Sequence, residues 1–347
     1  MPEESPRKTG VFKSCLTYLG GGWLVFSLMI TALICLIVLT IGTLSDSETE
    51  AGSNVSSKTV SGYNRDSDDY IAVIPVHGVI MYGKSKSGIV TPNQISAMLE
   101  KAEKDSDVKA VIVSIDSPGG EVNAADEIYR RILKFRSKTK RPVIALMRTI
   151  AASGGYYIAA ACDKIVAADM TLTGSIGVII SSYNVTGLLN KIGVQGEVYK
   201  SGKMKDMLSP TRERTPEEQR IVQELVQECY VKFAGIVSKS RKIPLSKITG
   251  GPIGDGRVYH GTKALAYGMV DKLGYLEDAV ALCEELSKSG RNSLTVKTYK
   301  KDFDFMEKFL EEKIFLKDGI NLKLNLPGNA PAVELKPGRL YYLPAGL

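Results

Sequence analysis

Histidine is nearly missing from this chain of 347 residues: His77 and His260 are the only two. That argues against a metal centre built from several imidazoles and leaves a histidine-activated nucleophile only two possible bases. Cysteine is scarce as well. Cys15, Cys35, Cys162, Cys229 and Cys283 form no CxxC pair, which speaks against a zinc site and against a disulfide framework. No cofactor is called for. Charge of one sign is in only mild excess, with 45 basic against 38 acidic residues and a net +7. The excess is spread out, with no aromatic-studded basic block of the kind that binds nucleic acid; a mildly basic surface suits anionic lipid better. What remains, 44% hydrophobic and 24% charged, is an ordinary folding composition with enough material for a large core.

One stretch lacks charge altogether. Residues 22–44 run for 23 positions without Asp, Glu, Lys or Arg, and about 20 apolar residues cross a bilayer core. Arg7, Lys8 and Lys13 precede the run, while Asp46, Glu48 and Glu50 follow it. The positive-inside rule places residues 1–21 in the cytoplasm and everything beyond the run outside. A cleaved signal peptide is the rival reading, but its apolar region is shorter and ends in a small-residue site. Ala32-Leu33-Ile34 before Cys35 also lacks the small residue that lipid attachment wants. The run reads as an uncleaved single-pass anchor. Residues 45–69, rich in Ser, Thr, Gly and acids, read as a flexible linker.

From Tyr70 short apolar runs alternate with amphipathic stretches. Strands are expected at Tyr70–Val76, Val108–Ile115, Pro142–Met147, Lys164–Ala168, Ser175–Ser181 and Val194–Lys200. Helices are expected after Thr91-Pro92, over Glu121–Arg136, Ser153–Ala161, Asn184–Ile192, Thr262–Tyr267 and Leu276–Ser287. The longest should open at Thr215-Pro216-Glu217-Glu218 and turn Ile221, Leu225, Cys229 and Phe233 inward. Alternation of this kind implies an α/β layered domain over 70–289. The lysine-rich 290–347, apolar again from Leu340, reads as a C-terminal appendage.

Three segments carry chemistry. Asp116-Ser117-Pro118-Gly119-Gly120 lies between a buried strand and a helix, where backbone N–H groups can face a developing oxyanion. Taken alone it is equally an ordinary strand-to-helix turn. Ala151-Ala152-Ser153-Gly154-Gly155 sets a serine at another such junction, among residues small enough for a substrate backbone to approach. Taken alone, Ser153 is equally a helix N-cap. Lys200-Ser201-Gly202-Lys203-Met204-Lys205-Asp206 is a loop whose lysines, by themselves, read as solvated charges. A lysine that serves as a base must be neutral, which for an ordinary lysine calls for roughly 4 kcal/mol of desolvation.

Together with Thr173-Gly174-Ser175-Ile176-Gly177, Gly256-Arg257-Val258-Tyr259 and Gly268-Met269-Val270-Asp271, these segments resemble the signal peptide peptidase A family, in order, from about Tyr70 to Leu286. The resemblance implies a ClpP/crotonase-like fold of repeated ββα units and assembly of identical chains into a ring. It implies Ser153 as nucleophile, Lys205 as general base, and the N–H groups of Gly120 and Gly154 as oxyanion donors. A dyad of that family can be completed across protomers. His260 departs from the family pattern and, like His77, reads as structural. The function implied is a membrane-anchored serine endopeptidase, without metal or other cofactor, that degrades remnant signal peptides and other apolar peptides at the extracytoplasmic membrane face. A catalytically silent peptide-binding scaffold of the same fold is the alternative. The presence of both Ser153 and Lys205 counts against it, and the charge-free run and the Ser-Gly-Gly segment count against an acyl-CoA enzyme.

Overall fold

The computed structural model describes residues 55–84, 88–301 and 341–342, and the single residue Met29. In chain order the strands are β1 (Val55–Thr59), β2 (Tyr70–His77), β3 (Val79–Ile80), β4 (Ile89–Val90), β5 (Val108–Ser117), β6 (Gly120–Glu121), β7 (Val143–Ala152), β8 (Lys164–Ala167), β9 (Leu172–Gly174), β10 (Val258–His260), β11 (Lys272–Leu273), β12 (Thr295–Lys301) and β13 (Tyr341–Tyr342). The helices are α1 (Pro92–Lys104), α2 (Val122–Thr139), α3 (Gly154–Ala159), α4 (Thr186–Lys191), α5 (Pro216–Arg241), α6 (Leu245–Thr249), α7 (Gly261–Ala266) and α8 (Leu276–Ser287). The charge-free run lies outside the described residues except for Met29, and no helix among the described residues is long and apolar enough to cross a membrane.

The apolar runs beginning at residues 70, 108, 143 and 164 are the adjacent parallel strands β2, β5, β7 and β8 of a mixed α/β architecture. Each presents apolar side chains to both faces, as a sheet covered on both sides requires. On one face Ile74, Val76, Val113, Ile115 and Ala145 join the inward stripes of α1 (Ile95, Met98, Leu99) and α2 (Ile128, Ile132, Phe135). On the other, Ile71, Val73, Ile112, Ile144 and Leu146 meet Ala279, Val280 and Cys283 of α8. Helix starts follow the expected chemistry. Thr91 caps α1 by accepting from the Gln94 amide, and Thr215 with Glu218 closes a capping box on α5.

Five expectations are corrected. Residues 55–59, read as flexible linker, are a strand, and residues 295–301, read as appendage, are the strand that joins it to β2. The cause is Tyr299, fully buried within a lysine-rich stretch, with its hydroxyl 2.8 Å from that of Tyr70; the Tyr70 hydroxyl donates to Asp105 at 2.6 Å. The strand expected over 175–181 is instead Leu172–Gly174, held on β7. The stretch 194–200 forms no strand and leaves Val194, Val198 and Tyr199 exposed. Of the α5 stripe only Phe233 is buried, while Leu225 is exposed. Cys229 packs half-buried against the core, so the stripe is fully covered only at its C-terminal end.

Candidate active site

Ser153 is the hinge between β7 and α3. Its amide donates to the carbonyl of Gly174 at 2.8 Å, and its own carbonyl receives the Tyr157 amide at 2.8 Å. Between those two anchors its backbone is forced to φ 52°, ψ −113°. A non-glycine residue at positive φ costs about 1–3 kcal/mol and persists only where its surroundings over-determine it. The surroundings here do so. Tyr156 and Tyr157 on α3 are fully buried, and their hydroxyls donate to the Met269 carbonyl at 2.8 Å and to Asp126 at 2.6 Å. The hydroxyl of Ser153 does not cap the helix, which disposes of the plain N-cap reading. Its Oγ is buried and has no hydrogen-bond partner among the described residues. A buried hydroxyl without a partner is costly and rare, so the scaffold holds this side chain for something other than its own stability.

The two glycine segments meet beside it. A Cβ on Gly154 would lie 3.1 Å from Gly119 Cα and 3.2 Å from Gly120 N, and one on Gly155 would lie 2.8 Å from the Ser117 carbonyl oxygen. Gly120 sits at φ 159°, and a Cβ there would run into the Ile80 carbonyl oxygen. The Ser117 hydroxyl closes the turn by accepting from the Gly119 amide at 3.1 Å. Gly154 is the first residue of α3, so its N–H has no partner within the helix. Two backbone amides thus flank the serine at the positive end of a helix, an arrangement suited to an oxyanion. Replacing Gly120 by Ala should separate β6 from β3, lowering peptide turnover about 100-fold or more together with the melting temperature. Wild-type turnover in that variant would show the contact to be soft.

The role of the remaining family segments was not legible in the sequence, and it is to support the serine. Thr173-Gly174 pairs with Ala151-Ala152, and the Thr173 hydroxyl donates to the Ala151 carbonyl at 2.7 Å. Val258 and Tyr259 then cover β9 from its other edge, and the Ser175 amide donates to the Arg257 carbonyl at 2.8 Å. Neither histidine bonds to Ser153. His77 Nε2 lies 3.1 Å from Ser114 Oγ, with its pKa lowered by burial, and His260 Nδ1 lies 3.3 Å from the Met170 carbonyl. No group of His, Cys, Asp or Glu among the described residues could hold a metal ion.

Lys205 is on a different part of the chain. It is exposed, in a turn closed by its own amide donating to the Gly202 carbonyl at 3.1 Å, and it makes no bond to Ser153 Oγ. The structure therefore unites Ser153, Gly154 and Gly120 but does not link Lys205 to them within one chain. The arm carrying it exposes Tyr183 (83%), Leu188, Ile192, Val198 and Tyr199 (92%). Next to Lys205, Asp206 is gripped by Arg212 and Lys200, which hold its carboxyl far below the usual range. Hydrogen bonds from Arg212 and the Thr215 amide bring Glu218 from the ordinary 4.5 to about 2. The stability contributed by the Glu218 pairing is fully present above about pH 4.5 and is lost as pH falls through about 2.

Comparison with known proteins gives this geometry a lineage. Peptidase family S49 matches residues 135–289, which hold Ser153 and Lys205, and the N-terminal domain of NfeD1b matches residues 72–191. The chain is 38% identical over 255 residues to an Enterococcus faecium protein named signal peptide peptidase SppA, covering 72% of each chain. It is 37% identical to Protease 4 of Salmonella typhi and 36% identical to the chloroplastic serine protease SPPA of Arabidopsis thaliana. Those alignments take in 64% and 62% of this chain but 35% and 32% of the relatives, so it spans about a third of their length. The S49 match contains the strained serine and Gly154, and with 38% identity over 72% of each chain to the Enterococcus faecium protein the chain belongs to the signal peptide peptidase A family, the serine peptidases of family S49.

Proposed function

We propose that the chain is a serine endopeptidase of Ser/Lys type, with Ser153 as nucleophile, Lys205 as general base and the amides of Gly120 and Gly154 as oxyanion donors. The observation that carries the reading is the buried, partnerless Oγ of Ser153 on a strained backbone, flanked by the two glycine amides. In the reaction the neutral Nζ of Lys205 takes the Ser153 proton as Oγ bonds to the peptide carbonyl carbon. The C=O electron pair moves to oxygen, where both amides stabilise it. On collapse the C–N bond breaks, and the lysine ammonium gives its proton to the departing amine. Water, losing its proton to Lys205, then attacks the ester carbon; the C–Oγ bond breaks and the lysine ammonium returns that proton to Ser153 Oγ, freeing serine and neutral lysine.

Identical chains assemble into a ring in this reading, because Lys205 has to reach a Ser153 that it does not bond within its own chain. The exposed apolar side chains of its arm supply surface for such a contact. A ClpP/crotonase-like fold is supported by the parallel order β2-β5-β7-β8 with helices over both faces. The substrates are remnant signal peptides and other apolar peptides, met where they partition: residues 22–44 anchor the enzyme with residues 1–21 in the cytoplasm and the catalytic domain on the extracytoplasmic side.

Two measurements test this. Full-length protein treated with a fluorophosphonate should carry the label on Ser153, and labelling elsewhere, or none, would overturn the assignment. A cysteine introduced within residues 45–54 should react with a membrane-impermeant thiol reagent on intact cells. Protection until lysis would reverse the topology.

A further inference from the structure

Arg212 stands between two carboxylates, one of them adjacent in sequence to the base. Its Nε donates to Asp206 Oδ2 at 2.7 Å, and its Nη2 donates to Asp206 Oδ1 at 2.7 Å and to the Asp206 carbonyl at 3.3 Å. On the far side Nη1 donates to Glu218 Oε2 at 3.0 Å, and Nη2 pairs with Glu218 Oε1. Glu218 is buried in the first turn of α5, where its Oε2 also accepts from the Thr215 amide at 2.8 Å. The C-terminal half of α5 is seated in the core through Phe233, Ala234 and Val237. One guanidinium therefore ties the turn bearing Lys205 to a helix fixed in the core, across an arm whose other large side chains are mostly exposed. We infer that Arg212 is the positioning residue of the general base, fixing the backbone on which Lys205 stands and occupying the carboxylate beside it.

This inference rests on Lys205 being the base. It has two separable parts. Position comes from the planar fork, which grips Asp206 and Glu218 at once; a lysine is a point charge and cannot span both. Charge comes from saturation of Asp206: Lys200 Nζ also donates to its Oδ1 at 2.7 Å, so cations hold both oxygens. The charged groups around the turn are Lys200, Lys203 and Asp206 on the loop, Arg212, Glu213 and Arg214 after it, and Glu217 and Glu218 on α5. Of these, Lys203 pairs with Glu217 at 3.0 Å and Glu213 accepts from Asn184 at 3.0 Å. Asp206 is the carboxylate next to Lys205 in the chain. Without Arg212 only Lys200 remains, on Oδ1, and Oδ2 is released as a counter-ion that favours the ammonium form, which cannot accept a proton.

The test is steady-state cleavage of a fluorogenic apolar peptide by the full-length, detergent-solubilised protein across a pH series. Arg212→Ala should lower kcat about 10- to 100-fold with KM within about 2-fold, since a misplaced group costs rate more than binding. The rise of activity with pH should move to higher pH. Adding Asp206→Asn to Arg212→Ala should return that rise toward its wild-type position while kcat stays low. Arg212→Lys should lose rate with little displacement of the pH rise, because it keeps a second cation, besides Lys200, beside Asp206. It carries the test if Arg212→Ala fails to elute as an assembled species. Lys203→Ala is the control and should behave as wild type. Wild-type kcat and pH dependence in both Arg212 variants would overturn the inference, as would a fall in rate with an unmoved pH rise in Arg212→Ala. Failure of the underlying reading looks different: Lys205→Ala would then retain turnover.

Discussion

Replacing Ser153 by Ala, or Lys205 by Ala, is expected to lower peptide turnover by about 10⁴-fold or more, and the double variant should be no worse than either single one. Groups that act as one proton-transfer unit are not additive, since removing either partner removes the step. The more informative result comes from co-assembly. Ser153→Ala chains keep their lysine and Lys205→Ala chains keep their serine, so neither has a complete dyad alone. If the dyad forms between neighbours in a ring with head-to-tail contacts, a random equal mixture should recover about a quarter of wild-type activity. Half of the chains keep the serine, and half of those face a neighbour with the lysine. A dyad closed within one chain predicts no recovery at all. Size-exclusion chromatography of each variant checks that the loss is chemical and not a failure to assemble. The structure supplies the motive for this experiment, since Ser153 Oγ has no partner among the described residues and Lys205 is exposed on an arm with apolar surface.

Much of the scaffold around that serine was legible because its signals are local. Buried parallel strands advertise themselves as unbroken apolar runs, as at Val108–Ile115, and helix starts as Thr-Pro or Thr-Pro-Glu-Glu, as at Thr91 and Thr215. The serine and its glycines could be singled out because strand-to-helix junctions with small residues are few. What escaped depends on contacts distant in sequence. Thr295–Lys301 looks like a solvated lysine tract until Tyr299 meets Tyr70, 229 positions away. Leu172–Gly174 becomes a strand only because β7 and β10 bracket it. Residues 194–200 have strand composition but no partner edge among the described residues, and pattern alone cannot say whether an edge exists. Arg212 had no signal either, since an arginine in a charged loop is the commonest of surface features.

Removing residues 340–347 is expected to raise initial turnover several-fold, and the intact active protein is expected to lose part of that segment to its own serine. The reason lies in β13. Tyr341 and Tyr342 run antiparallel to β6, with Tyr342 opposite Gly120 and Tyr341 opposite Glu121. An extended peptide that adds a strand beside an oxyanion glycine adopts the posture of a substrate, because main-chain pairing supplies affinity whatever the side chains. The tail is tethered to the chain it pairs with, so its effective concentration can reach the millimolar range, enough for a weak ligand to compete with free peptide. Register names the residue most at risk: Tyr342, which lies opposite Gly120. Mass spectrometry of purified full-length protein beside its Ser153→Ala variant reads the outcome. A shortened C-terminus in the active protein, intact in the serine variant, identifies self-processing. Faster cleavage of added peptide after the deletion identifies competition for the groove. Intact termini in both proteins, with turnover unchanged by the deletion, would reduce β13 to an edge strand that only packs.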